Sequence, residues 1–529
     1  MSLNKGTVRA KDVEAINQQD VTTIKEALDL ENVDNTSDSD KPISTDTQNA
    51  LNLKADDSSI SSVGKTGNHS DLNLDDGTNP HNTNKSDVGL GNVDNTSDLN
   101  KPVSNATQNA LDEKVDKVAG IYGVEWNKTF PTTDCTRVGD MSLHDAVNGL
   151  PVHKEVKRCV MLDDGTVNYY LDPDDSTLKD DGTPSNLEGD DGQVMVEIPE
   201  HWRRFDEEGD IQRVLISTTP FLNAHRVPKI YVSAFEATVD RTANKLSSVA
   251  TLNTDYRGGN NNASLDGNAN SQLGTPATLL SRINFTDYAN NRGANWYANL
   301  YDAHLNLFWL YTIEYATKNS QKAFTNTLTP EGYRDGGLGA GVTNISNSAW
   351  INFNGRYPFV KCFEESTNNF TDSIPYTHPV LGATQIPVYR GVEHPFGHIW
   401  KWTEQINIKA IDGQNLMYKA NSFNFQSSNY QGYKFIGGLA GSNGYIQELL
   451  FGDKGHILPV DTSGASSSTY WADYYFENAP SSGETIKGLL FGGLASDGTV
   501  AGFVSSFVKF APSNTNTKFG SRLCFFEKY

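Results

Sequence analysis

Cysteine is scarce in this chain. Four occur in 529 residues, at positions 135, 159, 362 and 524, with no CxxC pair and no metal-ligand spacing. They read as buried thiols, with a disulfide left open. Nowhere do eighteen apolar residues run together, which excludes a membrane-spanning helix. The opening "MSLNKGTVRAKDVEAINQQD" has no apolar core, so no secretory signal is expected there. Basic residues are outnumbered, 43 Lys and Arg against 65 Asp and Glu, for a net charge of −22. That balance argues against binding nucleic acid, which needs clustered cations to neutralise phosphates.

The acidity that is present is concentrated. Residues 163–210 hold "LDDGTV", "LDPDDSTLKDDGTPSNLEGDDGQ" and "FDEEGD". Oxygen-rich loops of this kind can hold Ca²⁺, but none has EF-hand spacing. Solvated acidic turns are the expectation, and the Asp-Gly pairs at 164–165, 181–182 and 191–192 are turn signals between short strands.

A polar phrase is written twice near the start. Leu30–Asp56 aligned on Leu90–Asp116 gives 18 identical positions of 27. Each copy has too few large apolar residues to offset the ordering of its own backbone, about 1–2 kcal/mol per residue. It must borrow a core, most simply from an identical chain alongside. Asn109–Val118 lacks Gly and Pro, and Leu111, Val115 and Val118 recur at heptad-like spacing; Leu51 and Ala55 hold the equivalent places in the first copy. Pro102 breaks structure before it, and Ser104 is a candidate N-cap. The alternative is a disordered polar linker. "NPHNTNKSDVGLGNVDNTSDLNKPVS", Asn79–Ser104, resembles a phrase in the shafts of bacteriophage tail fibres. The resemblance implies a fibrous, usually trimeric stalk carried on a virion. It also raises axial metal binding by His69 and His81, for which solvated histidines are the simpler reading.

Four segments follow from composition: a leader at 1–29 with the amphipathic "VTTIKEALDL", which would meet other tail proteins; the repeat stalk at 30–118, with copies at 30–57 and 90–117; a β-rich section at 119–225; and a larger remainder at 226–529. In the last, Asn299–Phe324 reads as one long helix, with Leu305, Phe308, Trp309, Thr312, Ile313 and Ala316 on a broad buried face. Short strands and Gly/Asn/Ser loops surround it. The expected fold class is α+β.

Three marks in 226–529 carry a second resemblance. "GVEHPFGHIWKWTEQINI" at 391–408 resembles a strand of the formylglycine-generating-enzyme-like branch of the C-type lectin fold, with Trp400 and Trp402 alternating against Ile399 and Lys401. Gly520, Ser521 and Arg522 resemble that branch's closing strand, and Ile313–Ala316 its helix. The enzyme's reactive cysteine pair is missing, since Cys524 stands alone in "RLCFF". The "EPN", "QPD" and "WND" triplets of calcium-dependent lectins are missing too, and "YWADYY" at 470–475 only faintly echoes the last. No metal or cofactor is expected in the head.

The order "YRGVEHPFGHIWKWT", "LLFGGLASDGTVAGFV", "GSRLCFF" is similar to variable proteins of diversity-generating retroelements. The likeness implies scaffold at Leu490, Phe491, Gly492, Gly493, Gly502, Phe503, Gly520, Arg522 and Leu523. It implies ligand-binding display at Tyr470, Trp471, Asp473, Tyr474, Tyr475, Ser496, Asp497, Ser505, Ser506, Phe507, Lys509, Ser513, Asn514, Asn516 and Lys518. Independently, Tyr, Ser and Asn are what binding surfaces favour, because Tyr gives contact area at low entropy cost. About half of the rings in "TYWADYYFENAP" are expected in the core.

The favoured expectation is a homotrimeric, non-catalytic receptor-binding tail fibre of the virion, gripping a bacterial surface protein or glycan. A polysaccharide-cutting tailspike would need two carboxylates about 5–9.5 Å apart. Glu364, Glu365, Glu393, Glu404 and Glu448 are candidates that no spacing selects. A structural collar or adaptor is the third possibility.

Overall fold

The computed structural model describes residues 43–55, 120–140, 150–173, 175–250, 276–322, 388–423, 425, 428–494, 497–516 and 518–527. The chain divides into two units, Met1–Val103 and Ser104–Tyr529. In the first, the described residues form helix α1, Thr45–Ala55. Ser44 caps it, its Oγ accepting from the Thr47 amide at 3.1 Å. Leu51 and Leu53 on this helix are 49% and 74% exposed. The second repeat copy, His69 and His81 lie outside the described residues.

The α+β expectation is overturned. Strands make up 40% of the structure and helices 13%, and the architecture is mostly β with a curled sheet, not an α+β head on a helical stalk. Propensity explains the miss: one long apolar helix dominates the sequence pattern, whereas many short strands of two to seven residues leave weak individual signals.

Among the described residues of the second unit, three large sheets form beside three two-stranded ones. A five-stranded sheet runs in the order Thr136–Gly139, Tyr122–Asn127, Ile211–Ser217, His201–Glu208, His225–Val227. A six-stranded sheet runs Trp296–Ala298, Leu523–Phe525, Ile230–Ser233, Gln193–Ile198, Lys157–Met161, Val167–Tyr170, so the C-terminal tail pairs with strands from far earlier in the chain. The largest runs Tyr433–Gly438, Gln414–Ala420, Trp400–Ile411, Glu484–Gly492, Gly502–Val508, Tyr474–Glu477, Gly444–Tyr445, with Phe519–Gly520 parallel to the start of the Trp400 strand. That last pairing places the second and third sequence marks side by side, Trp400 opposite Phe519 and Lys401 opposite Gly520.

Two helices pack against these sheets. Helix α2, Arg282–Asn290, opens with a capping box between Ser281 and Asn284. Helix α3, Tyr301–Tyr315, is shorter than the expected Asn299–Phe324. It stops because Ala316 turns left-handed (φ 50°), and the chain then bonds to 133–135: the Cys135 amide donates to Ala316 O at 2.8 Å and the Lys318 amide to Thr133 O at 2.7 Å. Burial surrounds α3, with Trp309, Phe308 and Tyr311 all at 1% exposure or less. Trp309 stacks on Trp126 at 5.9 Å and meets Trp471 edge-on at 5.9 Å, so residues 126, 309 and 471 share one aromatic core.

In the acidic 163–210 section, turns link the strands Val167–Tyr170, Gln193–Ile198 and His201–Glu208. Asp164, Asp175 and Asp181 each accept from the amide two residues on, at 2.9, 3.0 and 2.9 Å. Gly165 and Gly182 have φ of 93° and 80°, where an L residue would be strained. Cys135, Cys159 and Cys524 are free thiols; burial pushes the Cys135 and Cys524 thiols up to about 12.

Candidate functional site

A left-handed turn at Tyr470 and Ala472 leads into the strand Tyr474–Glu477, and together they sort the segment 470–477. Trp471, Asp473 and Tyr475 point inward, at 2%, 1% and 0% exposure. Tyr474 and Phe476 are half-buried on the outer side. Tyr474–Glu477 lies parallel to Gly502–Val508 with Phe476 directly opposite Phe507, and antiparallel to Gly444–Tyr445 with Tyr474 opposite Tyr445. Cross-strand pairing therefore lines up rings. Tyr445 meets Tyr474 at 5.1 Å, Tyr474 meets Phe476 at 4.6 Å, Phe476 meets Phe507 at 5.5 Å, and Phe507 stacks on Phe510 at 5.3 Å. Lys509 lies over this strip, its Nζ 5.5 Å from the Phe476 ring and 5.6 Å from Phe507. Beside it on the same face, Trp400 contacts Phe476 at 5.8 Å and Phe507 at 5.3 Å and joins the strip to the core.

The strip gathers three of the expected display residues: Tyr474, Phe507 and Lys509. Others do structural work. Asp473 Oδ2 accepts from Ser320 Oγ at 2.7 Å and from the Val504 amide at 2.8 Å; burial pushes its carboxyl up to about 7 against those bonds. Ser505 Oγ donates to Val500 O at 2.6 Å and accepts from the Tyr474 amide at 3.1 Å. Ser506 is buried opposite Tyr475. Tyr470, left-handed at φ 53°, is half-buried and donates its amide to Pro131 O at 2.9 Å. Asp497 accepts from the Leu494 amide at 2.7 Å, fixing a turn. Asn516 accepts from the Lys518 amide at 2.9 Å, and Lys518 O accepts from the Trp400 amide at 2.9 Å. Ser513 and Asn514 are exposed on the loop before them. Ser496 lies outside the described residues. Each scaffold position from Leu490 to Leu523 is buried.

Sequence reasoning missed Tyr445, Phe476 and Phe510. Phe476 had a signal, since it follows Tyr474 by two residues and must share its side. Tyr445 had none, because it arrives from a Gly-rich loop through a long-range pairing.

Among the described residues, Glu236, His394 and His398 place three potential metal-ligand atoms within 4.8 Å of one another, all buried. Their surroundings favour another use. Lys401 Nζ sits 2.9 Å from Glu236 and also donates to Ile399 O at 2.9 Å and Gly397 O at 3.1 Å. His398 Nδ1 bonds the other Glu236 oxygen. Burial works against the Glu236 carboxylate, yet the His398 and Lys401 charges hold it below its ordinary value. Burial draws Lys401 down to about 8, with Glu236 opposing. A cation already faces this carboxylate, so the cluster is a charge-compensated brace. Arg522 extends it, donating to Ser233 O at 3.1 Å and His394 O at 2.6 Å. His394 and His398 sit at φ 46° and 62°, strain of roughly 1–3 kcal/mol each that such a network sustains.

The carboxylates considered for glycan cleavage are dispersed. Glu393 is buried 3.3 Å from Arg158. Glu404 is buried against Thr286, and burial raises it to about 7. Glu448 lies 3.7 Å from Lys128 at the surface. Glu364 and Glu365 are outside the described residues.

No family model and no curated protein matches the chain. Among solved structures, it is similar to PvdO from Pseudomonas aeruginosa at 10% identity and a TM-score of 0.26, over 64% of this chain and 96% of that one. It is also similar to the Major Tropism Determinant, I1 and M1 variants, each at 11% identity and a TM-score of 0.19, over 65% of this chain and 73% of those. Likenesses this weak carry no functional argument.

Proposed function

We propose that this chain is a non-catalytic adhesin, a tail-fibre receptor-binding protein that grips a bacterial surface ligand through the strip Tyr445–Tyr474–Phe476–Phe507–Phe510. The observation that carries this reading is the strip itself. Five half-buried rings stand in contact along one face of the largest sheet, where they continue the buried row Trp402–Leu490–Phe507–Phe476, with Trp400 on the same face. Flat rings with accessible edges suit sugar faces or a partner's apolar loop, and Lys509 adds one charge at their margin. Exposed Leu51 on α1 supports the rest of the reading, because an uncovered leucine gains a core when identical chains lie together as a trimer, whereas Leu53, two residues on, faces another way. Three heads on one stalk would multiply a weak single-site affinity.

The test is binding of purified protein to intact candidate host cells. Wild type is compared with a triple variant, Tyr474→Ala, Phe476→Ala and Phe507→Ala, whose folding and assembly are checked by circular dichroism and light scattering. Loss of binding with an intact fold is expected. Equal binding by the folded variant would reject the strip as the receptor site, and a monomeric wild type at micromolar concentration would reject the trimer.

A further inference from the structure

A second concave feature differs from the strip in charge. It is a cavity of about 280 Å³, set where the five-stranded sheet meets the N-terminal end of α3 and the Gln405–Lys419 part of the largest sheet. Four side-chain cations line it, Arg203, Arg226, Lys419 and Lys454, against a single carboxylate, Asp302. In a chain of net charge −22 this is a local reversal of sign.

Asp302 is already engaged, 2.8 Å from Lys419 Nζ and accepting from Gln405 Nε2 at 2.9 Å. Arg226 is paired with Glu200. Arg203 and Lys454 form no ion pair with any described carboxylate. Arg203 is the informative one. It is only 4% exposed, its Nη1 donates to Asn306 Oδ1 at 2.8 Å, and its Nε has no hydrogen-bond partner. Its guanidinium otherwise rests 5.1 Å from the Phe205 ring. A guanidinium has five donors in a fixed fork suited to carboxylate or phosphate, and leaving one buried without an anion is costly. The α3 N-terminus is already compensated, since its Asp302 amide donates to Gln405 Oε1 at 2.9 Å and Asp302 itself lies in the first turn, so the anion argument rests on the side chains. The opposite wall is apolar. Phe423 and Phe526 stack on one another at 4.8 Å and both line the cavity. The volume lies just under the usual 300–1,000 Å³ of small-molecule sites, which suits one ring and not a chain of them.

We propose that this cavity is a second binding site, for a single anionic sugar residue whose carboxylate or phosphate pairs with Arg203 and Lys454 while its ring packs on Phe423 and Phe526. The site stands independently of the aromatic strip.

Isothermal titration calorimetry on the full chain, in phosphate-free buffer at low salt, tests it with three probes: glucuronate, glucose 6-phosphate and glucose. At least one anionic probe is expected to bind tenfold or more tightly than glucose, and which one does so identifies the anion. Arg203→Gln is expected to weaken that binding at least tenfold, and Lys454→Gln about threefold. Phe476→Ala should leave it unchanged, which separates this site from the receptor strip. Glucose binding as well as the anions, no binding by either anion, or full affinity in Arg203→Gln would each overturn the proposal. If Arg203→Gln proves unfolded, Lys454→Glu at the surface decides instead: retained anion binding overturns the site, and a tenfold loss supports it.

Discussion

The inner and outer sides of the segment 470–477 are built from the same residue types and do different things. Inside, the Trp471 ring meets Trp126 at 5.4 Å and Phe308 at 5.7 Å, and Asp473 ties 502–505 to Ser320. On the other side, Tyr474 and Phe476 contact rings that are themselves half-buried, apart from the buried Trp400 beside them. Aromatic content alone therefore says nothing of role. What decides is which side of a two-residue period a ring occupies, and whether a second layer covers it.

The largest effect that would break this contrast is on the inner side. Trp471→Ala removes a ring that joins three parts of the core, and large aromatic-to-alanine changes in cores cost about 3–5 kcal/mol. Chemical denaturation should show that loss, while whatever protein remains folded binds cells as wild type does. A Trp471→Ala protein of native stability that had lost binding would reverse the assignment of the two sides.

Asp473 gives the inner side a pH signature. Its carboxyl, ordinarily 3.8, is pushed to about 7 by burial. A raised acid keeps its proton in the folded chain after the unfolded chain has lost it. Stability from this group is thus fully present below about pH 4 and falls as pH rises through about 7. The span is at most about 4 kcal/mol at 1.36 kcal/mol per unit. Glu404, raised to about 7 from 4.5, acts in the same direction. Glu236, held low, acts oppositely and only as pH falls below 4.5. His201, His225, His304, His394 and His456, all drawn below 6.5 by burial, act oppositely below about pH 6.5. Asp473 is therefore read by difference: the stability of wild type relative to Asp473→Asn, which keeps an acceptor for Ser320 and Val504, should fall from about pH 4 to 7. A difference that stays constant with pH would remove Asp473 from the account.

Much of the inner side was legible in the sequence. The alternation around Trp400–Trp402 and the closing Gly520–Arg522 mark fall where short-range patterns point, and they meet because Trp400 pairs with Phe519. The fold class was not legible, because strands such as Gly444–Tyr445 and Val392–Glu393 are two residues long and gain their identity only from distant partners. The strip was half legible. Tyr474, Phe507 and Lys509 were within reach of composition, but Tyr445 joins it through long-range strand pairing and Phe510 through the chain's course just past the strand end. The cavity at Arg203 had no sequence signal at all. His201–Glu208 reads as an alternating strand, and nothing local tells that Arg203 faces inward without a carboxylate.

On the outer side the expected effects are smaller and fall on binding. Phe476→Ala interrupts the run of rings at its middle, between Tyr474 and Phe507. Cell binding should weaken about tenfold, near 1.4 kcal/mol, as for a central interface residue. The unfolding midpoint should move far less than in Trp471→Ala. A stability loss matching that of Trp471 would mean Phe476 belongs to the core and the strip is not a separate surface.

Lys509 is the finest probe of the comparison. Its ammonium lies over two strip rings and forms no ion pair among the described residues, so the cation–π contact is its main attraction to the fold, set against repulsion from Lys487. Such contacts at partly exposed sites contribute about 0.5–1 kcal/mol. Lys509→Gln should thus leave stability nearly unchanged. Its effect on binding depends on what the strip grips. A neutral or apolar ligand would lose about two- to threefold, from slackened ring positions. An anionic ligand would lose more, and the loss would shrink as salt rises, because a half-exposed charge is screened within about 8–10 Å. Measuring wild type and Lys509→Gln at two ionic strengths therefore reads the ligand's charge from the protein side. A salt-sensitive difference would mean that the strip and the Arg203 cavity prefer the same chemistry, and a salt-independent one that the outer side of this sheet selects for shape.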